Sequence, residues 1–353
     1  MQAQQLTQKK SRKSRKAPVP TLPVSSLGHP TDMVYHSSTW EQLWLNNIHE
    51  WQNGRICEAI ASQTDQIRRF MNSTCMTRTD TPWCLIGDNG HRFWYHTGNG
   101  RVQRRKPHAV RQNPKGYRPE LPSDASIWSY FEWTDRTGAT QREYIEPLVS
   151  HLRHPIAVCQ HGHEFNVDRS YVLPPAKRAH RRKALLFDAG ASSWHSGLGG
   201  ASLSYFAEVW SRYGITWSHV EAWECTVPEP EFYKTVPKEW KPKVLYHQKC
   251  IATSPAKEPF VPSVIRQRAT KEDYVLFKLD IDSKAVETAI VDFLLRSDKH
   301  LALIDEFVWE HHVDNYLMAR YWKDTADTTK TIADSYGYFL ELRRRGVRAH
   351  SWV

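Results

Sequence analysis

Four short stretches gather the residue types that chemistry needs. The first is LLFDAGAS at residues 185–192, an apolar run that ends in Asp188 and turns through Ala189, Gly190, Ala191 and Ser192. A second apolar run ends in Glu224, a third in Asp280-Ile281-Asp282, and a fourth in Glu310-His311-His312. Each reads as a strand with polar residues at its tip. Glycine and alanine after the first strand let a ligand approach the backbone closely. A carboxylate at the tip of the next strand can accept both hydroxyls of a ribose. This is the pattern of a nucleotide-type cofactor site, and it points to an enzyme. The Asp280-x-Asp282 pair has the form that holds a divalent cation through oxygen. A His beside a carboxylate can take the proton of a reacting hydroxyl. If residues 310–312 keep strand alternation, Glu310 and His312 share one side and His311 faces the other, so at most one His meets an acceptor directly. A structural histidine, hydrogen-bonded in the sheet, explains either His equally well.

The elements that would position these residues alternate in the second half of the chain. Strands are expected at 184–189, 216–223, 243–252, 274–281 and 301–309, and helices at 202–213, 283–296 and 325–345. In the first helix Leu203, Phe206, Trp210 and Tyr213 share one face, with Ser202 a candidate N-cap and Gly214 a stop. The second starts near Ser283 and buries Val286, Ala289, Ile290, Phe293 and Leu294; the third ends at Gly346. Such alternation predicts an α/β fold, a Rossmann-like, mostly parallel sheet with helices on both faces. Ligands in such sheets bind beyond the carboxyl ends of the strands, where all four tips would meet. Ahead of this lies an α+β extension. Trp40, Leu43, Trp44, Ile48 and Trp51 form a helical stripe, turn signals at 88–90 and 98–100 bracket a β-hairpin, and residues 144–155 suggest a short helix. The expected organisation is therefore a disordered basic tail at 1–33, an extension or cap at 34–180, and the Rossmann-like domain at 181–353.

Charge narrows the partners. The chain of 353 residues carries a net +10, but two runs account for 13 positive charges: Lys9 to Lys16, and Arg101 to Arg118. The remainder sums to −3, so the cofactor domain is no basic platform for nucleic acid. A non-catalytic Rossmann-like protein that binds nucleic acid through the two runs is an alternative that this distribution does not favour. No run reaches the roughly 18 apolar residues of a membrane span, and no apolar segment follows the basic N-terminus as in a secretory signal. Six scattered cysteines without a CxxC pair read as free thiols in a reducing compartment, which implies a cytoplasmic protein, or a nuclear one if the basic tail is a targeting signal. His151, His154, Cys159, His161, His163 and Glu164 are dense, but their gaps fit no standard zinc spacing. Neither GxGxxG nor GxxxxGK[ST] occurs, which argues against a dinucleotide oxidoreductase or a P-loop enzyme.

The four blocks together carry a family resemblance. LLFDAGAS resembles the hydrophobic-D-x-G-A-N/S turn of the FkbM-type branch of S-adenosylmethionine-dependent methyltransferases. VEAWE is similar to that family's strand ending in a ribose-binding acid, here Glu224. VLFKLDIDSKAVE is similar to its K-I-D-x-E-G-x-E block, with Lys278, Asp280, Asp282 and Glu287 on the polar positions. Glu310 matches its late acidic residue. The resemblance covers about residues 180–353 and implies S-adenosylmethionine as cofactor, held by Asp188, Gly190, Ala191, Ser192, Glu224 and Asp280. It implies methylation of a hydroxyl on a small molecule or glycan, with His312, His311, Glu310 and Asp282 as catalytic candidates and no metal assigned. Three departures stand out. Asp188 and Glu224 are 36 positions apart, an insertion that includes Trp194, His195 and Ser196. Asp282 and Ser283 replace the family's Glu-Gly. After the last helix there is room for one short strand and not the customary pair. The runner-up is a metal-dependent glycosyltransferase using Asp280-x-Asp282, which explains the acid pair but not the FDAGAS turn or Glu224.

Overall fold

Six apolar runs form one parallel sheet in the computed structural model of the chain. They are β1 (Ala184–Ala189), β2 (His219–Glu224), β3 (Val244–Gln248), β4 (Tyr274–Leu279), β5 (Glu306–Trp309) and β6 (Arg348–Ser351), in the order β3-β2-β1-β4-β5-β6. All five pairings are parallel. The structure describes residues 33–74, 122–135, 137–155, 159, 169, 171–175, 182–195 and 202–352, with the backbone of short strands between 76 and 104. The basic runs, the glycine-rich stretch 197–201, Ser196, His161, His163 and Glu164 lie outside the described residues, apart from the backbone of Val102–Arg104.

Burial explains why the strands read so clearly. Every residue of β1, β4, β5 and β6 is buried, so both faces are covered and the sequence needs no alternation. The edge strand β3 alternates instead, with Leu245 outward and Val244 and Tyr246 inward. Connections run through α1 (Ser202–Arg212), α2 (Glu229–Thr235), α3 (Val261–Arg268), α4 (Lys284–Arg296) and α5 (Ile332–Arg344). Leu203, Phe206 and Trp210 of α1 are fully buried, and Gly214, at φ +86°, ends it as expected. Ser202 departs from its capping role: it opens the helix and donates its hydroxyl to Asp188.

Two expected helices are corrected. Residues 327–331 form a strand paired with Val313–Asp314, and α5 starts at Ile332 behind a capping box of Thr331 and Asp334. Residues 144–155 are no helix. Tyr144 and Ile145 close a strand (Thr140–Ile145), and the chain then turns through Ser150 and Leu152, both left-handed near φ +58° and +59°.

The extension supplies helices at Thr39–Trp51, Ile56–Ser62 and Thr64–Thr74 and a three-stranded antiparallel sheet of Val34–His36, Ser129–Thr134 and Thr140–Ile145. Trp40, Trp44 and Ile48 of the expected stripe are buried, Trp51 is half-buried and Leu43 is exposed. The hairpin is present, with Trp83–Ile86 antiparallel to Phe93–His96.

The cysteines are the clearest departure. Cys57 pairs with Cys159 and Cys225 with Cys250, so the free-thiol reading does not hold for these four. Separations of 102 and 25 residues leave no local spacing to announce either bond. Pairing of Cys159 also removes it from the histidine-rich cluster as a metal ligand. The side chains of Cys75 and Cys84 lie outside the described residues. Among the described residues no helix is long and apolar enough to cross a membrane.

Candidate functional site

The strand order reverses between β1 and β4, and the polar tips meet at this switch point. Lys278 and Asp188 are direct register partners on the two strands. The Lys278 ammonium lies 3.4 Å from Asp188 Oδ1 and 3.2 Å from Asp280 Oδ2, and donates to the carbonyl oxygens of Gly190 and Asp280 at 3.1 and 3.3 Å. One buried cation thus clamps both tips. Burial alone would push its pKa down, but Asp188 and Asp280 outweigh that and raise it. Gly190, at φ +94°, passes so close to the Asp280 carbonyl that no Cβ fits there.

The β1 turn leans over β2. The amides of Gly190 and Ala191 donate to the Trp223 carbonyl at 2.9 and 3.1 Å, which brings the turn beside Glu224. Glu224 is half-buried, and the amide and hydroxyl of Thr226 both donate to its Oε1. Asp188 is fully buried, Ala191 buried and Ser192 exposed. Trp194 is buried against Trp240 and fills a loop, while His195 is exposed.

Beyond β4 and β5 the acidic candidates converge. Glu310 Oε1 receives Arg153 Nη2 at 2.5 Å and Trp322 Nε1 at 3.0 Å, and lies 3.3 Å from His312 Nε2. His312 stacks on Trp322 and its Nδ1 pairs with Thr325 Oγ1 at 2.6 Å. Asp282, left-handed at φ +55°, brings Oδ1 to 3.8 Å from His312 Nδ1. Glu287 of α4 accepts from the Ile281 amide and from Trp309 Nε1, bracing the turn from beneath. His311 points the other way. It stacks on Trp309 with ring centroids 3.8 Å apart and pairs with Ser335 of α5. Strand alternation therefore continues past Trp309. The structure brings Asp280, Asp282, Glu310 and His312 together and leaves His311 apart.

Charge is unevenly matched here. Burial pushes Asp280 up to about 6, with the nearby Glu310 and Asp282 charges adding to it against Lys278. Burial and Asp280 hold Glu287 up at about 7. For Glu310, burial acts upward, but Arg153 and His312 overcome it and keep the carboxylate well below the ordinary range. Burial would lower His312, yet its contact with Glu310 raises it overall. Burial takes His311 down to about 3, so it stays neutral.

Trp322 carries no sequence signal as a site residue, and Arg153-His154-Pro155 reads in the sequence as a compact group that packing and capping explain as well as a pocket does. Arg153 stands 157 positions from Glu310, and only the fold joins them. No family model, curated protein or solved structure matches this chain.

Proposed function

We propose that the chain is an S-adenosylmethionine-dependent methyltransferase acting on a hydroxyl of a small molecule or sugar. The observation that supports it most is the joined tip of β1 and β2: a small-residue turn, hydrogen-bonded to the end of β2, beside the half-buried carboxylate of Glu224. In this reading Glu224 takes the ribose hydroxyls and the turn from Gly190 to Ser192 lets the cofactor lie against the backbone. Asp188 and Lys278 act indirectly by fixing that turn. Methyl transfer is an in-line displacement at the sulfonium methyl carbon, so positioning supplies most of the acceleration. The acceptor oxygen bonds to that carbon, the sulfonium leaves as the thioether, and the hydroxyl proton passes to a base. Glu310 and His312, already paired at the neighbouring tips, are the candidates for that role.

Calorimetric titration with S-adenosylmethionine and S-adenosylhomocysteine tests the reading. The native chain should bind both, and Glu224→Ala should weaken binding while leaving the circular dichroism spectrum unchanged. A folded native chain that binds neither overturns it. The convergence of Asp280, Asp282 and His312 favours a second reading, metal-dependent glycosyl transfer. Binding of a nucleotide-sugar only with Mn2+, without affinity for S-adenosylmethionine, would select that one.

A further inference from the structure

Three ligand-type side chains from two strand tips meet at one point. Ligand atoms of Asp280, Asp282 and His312 all lie within 4.8 Å of one another. The three differ in burial: Asp280 is half-buried, the Asp282 side chain is 71% exposed, and His312 is only 5% exposed. The buried Nε2 of His312 makes no hydrogen bond, although Glu310 Oε1 is 3.3 Å away. A buried imidazole nitrogen without a hydrogen bond, set among carboxylates, is a group waiting for a Lewis acid or a proton. Glu287 and Glu310 add two further carboxylates around it, against the cations Arg153 and Lys278. Lys278 contacts one oxygen of Asp280, Oδ2, from the sheet side. Asp282 opens the opposite side to solvent, where water or a ligand oxygen can complete a coordination shell.

We propose that Asp280, Asp282 and His312 bind one divalent first-row cation. Two carboxylates and one imidazole suit Mn2+, which accepts oxygen ligands and tolerates nitrogen. The cation site does not rest on the methyltransferase reading. If that reading holds as well, a cation held by these residues would polarise an acceptor hydroxyl.

The test uses the full chain and Mn2+ alone, followed by the loss of the free-ion electron paramagnetic resonance signal. One Mn2+ should bind per chain. Asp282→Asn and His312→Gln should each weaken binding by about tenfold or more, since even indirect support of a metal costs about that much. Asp282 is exposed and its replacement leaves the core untouched, so that variant separates loss of a ligand from loss of the fold. A native chain that leaves the signal unchanged, or binding that survives in the double variant, overturns the proposal. Calorimetry with S-adenosylmethionine in the absence of metal reads the other hypothesis separately, so each can fail alone.

Discussion

Gly190 shows how much one missing methyl group can decide. Its backbone is left-handed and lies against the Asp280 carbonyl, so a side chain there would force β1 and β4 apart at the clamp made by Lys278. Gly54 has the same φ of +94° with open space around it. Replacing Gly54 by Ala should cost only the left-handed penalty, about 1 to 2 kcal/mol. Replacing Gly190 by Ala should cost more, about 3 kcal/mol or above, because overpacking adds to it. Thermal unfolding of the two variants makes the comparison, and equal costs would mean that the two tips can separate freely. At Asp282 the same left-handed geometry falls on a residue with a Cβ. Asp282→Gly should relieve that strain and raise stability in the same assay, by up to about 1 kcal/mol, offset by glycine's greater freedom in the unfolded chain.

Between elements, Gln63 does the joining. It sits in the turn between the helices Ile56–Ser62 and Thr64–Thr74, and its one carbonyl oxygen accepts the indole N–H groups of both Trp40 and Trp44. All three side chains are buried. Gln63→Leu should therefore strand two buried donors and cost about 2 to 4 kcal/mol, read as a lowered urea midpoint. A loss below about 1 kcal/mol would mean that the indoles find other acceptors. The elements themselves were largely legible in the sequence where burial is two-sided. A continuous apolar run such as that of β1 or β4 admits few other readings. Legibility fails where a partner outside the segment decides the outcome. Residues 327–331 are polar and threonine-rich, and they extend only because Val313 and Asp314 pair with them. Residues 146–155 carry a helical spacing, but Pro147 and two left-handed residues break it, and Glu146 is drawn into a distant charge network.

That network ties the extension to the sheet. Arg343 of α5 donates to Tyr35, Glu41 and Glu146, while Arg348 of β6 reaches Glu306, the Tyr144 carbonyl and the Leu173 carbonyl. His350 bridges the two halves, with Nδ1 2.7 Å from Glu146 and Nε2 2.5 Å from Glu306. The outer strand β6 is thereby covered by chain from the extension. None of this was readable beforehand, because each contact joins residues tens to hundreds of positions apart. The same holds for the Arg153–Glu310 pair and the Cys57–Cys159 bond, whereas the strand-tip acids were visible because each ends its own apolar run. The network also makes stability depend on pH. Burial would lower the His350 pKa, but Glu146 and Glu306 outweigh it and raise it above the unfolded value of about 6.5. The proton therefore binds more tightly in the folded chain. Its contribution is complete below about pH 6.5 and is lost as pH rises through the raised folded-state value, at about 1.4 kcal/mol for each unit between the two. Above that, a neutral imidazole leaves Glu146 and Glu306 facing each other across one ring. His312 titrates in the same sense, so the informative quantity is the difference between the native chain and His350→Gln. Urea unfolding from pH 5.5 to 9 should show the native chain's advantage over the variant shrinking as pH rises. An advantage that stays constant across that range would mean that folding leaves the His350 pKa unshifted, and one that rises between pH 5.5 and about 7 would mean that His350 is neutral in the folded state, with the two carboxylates held by Arg343 and Arg348 alone.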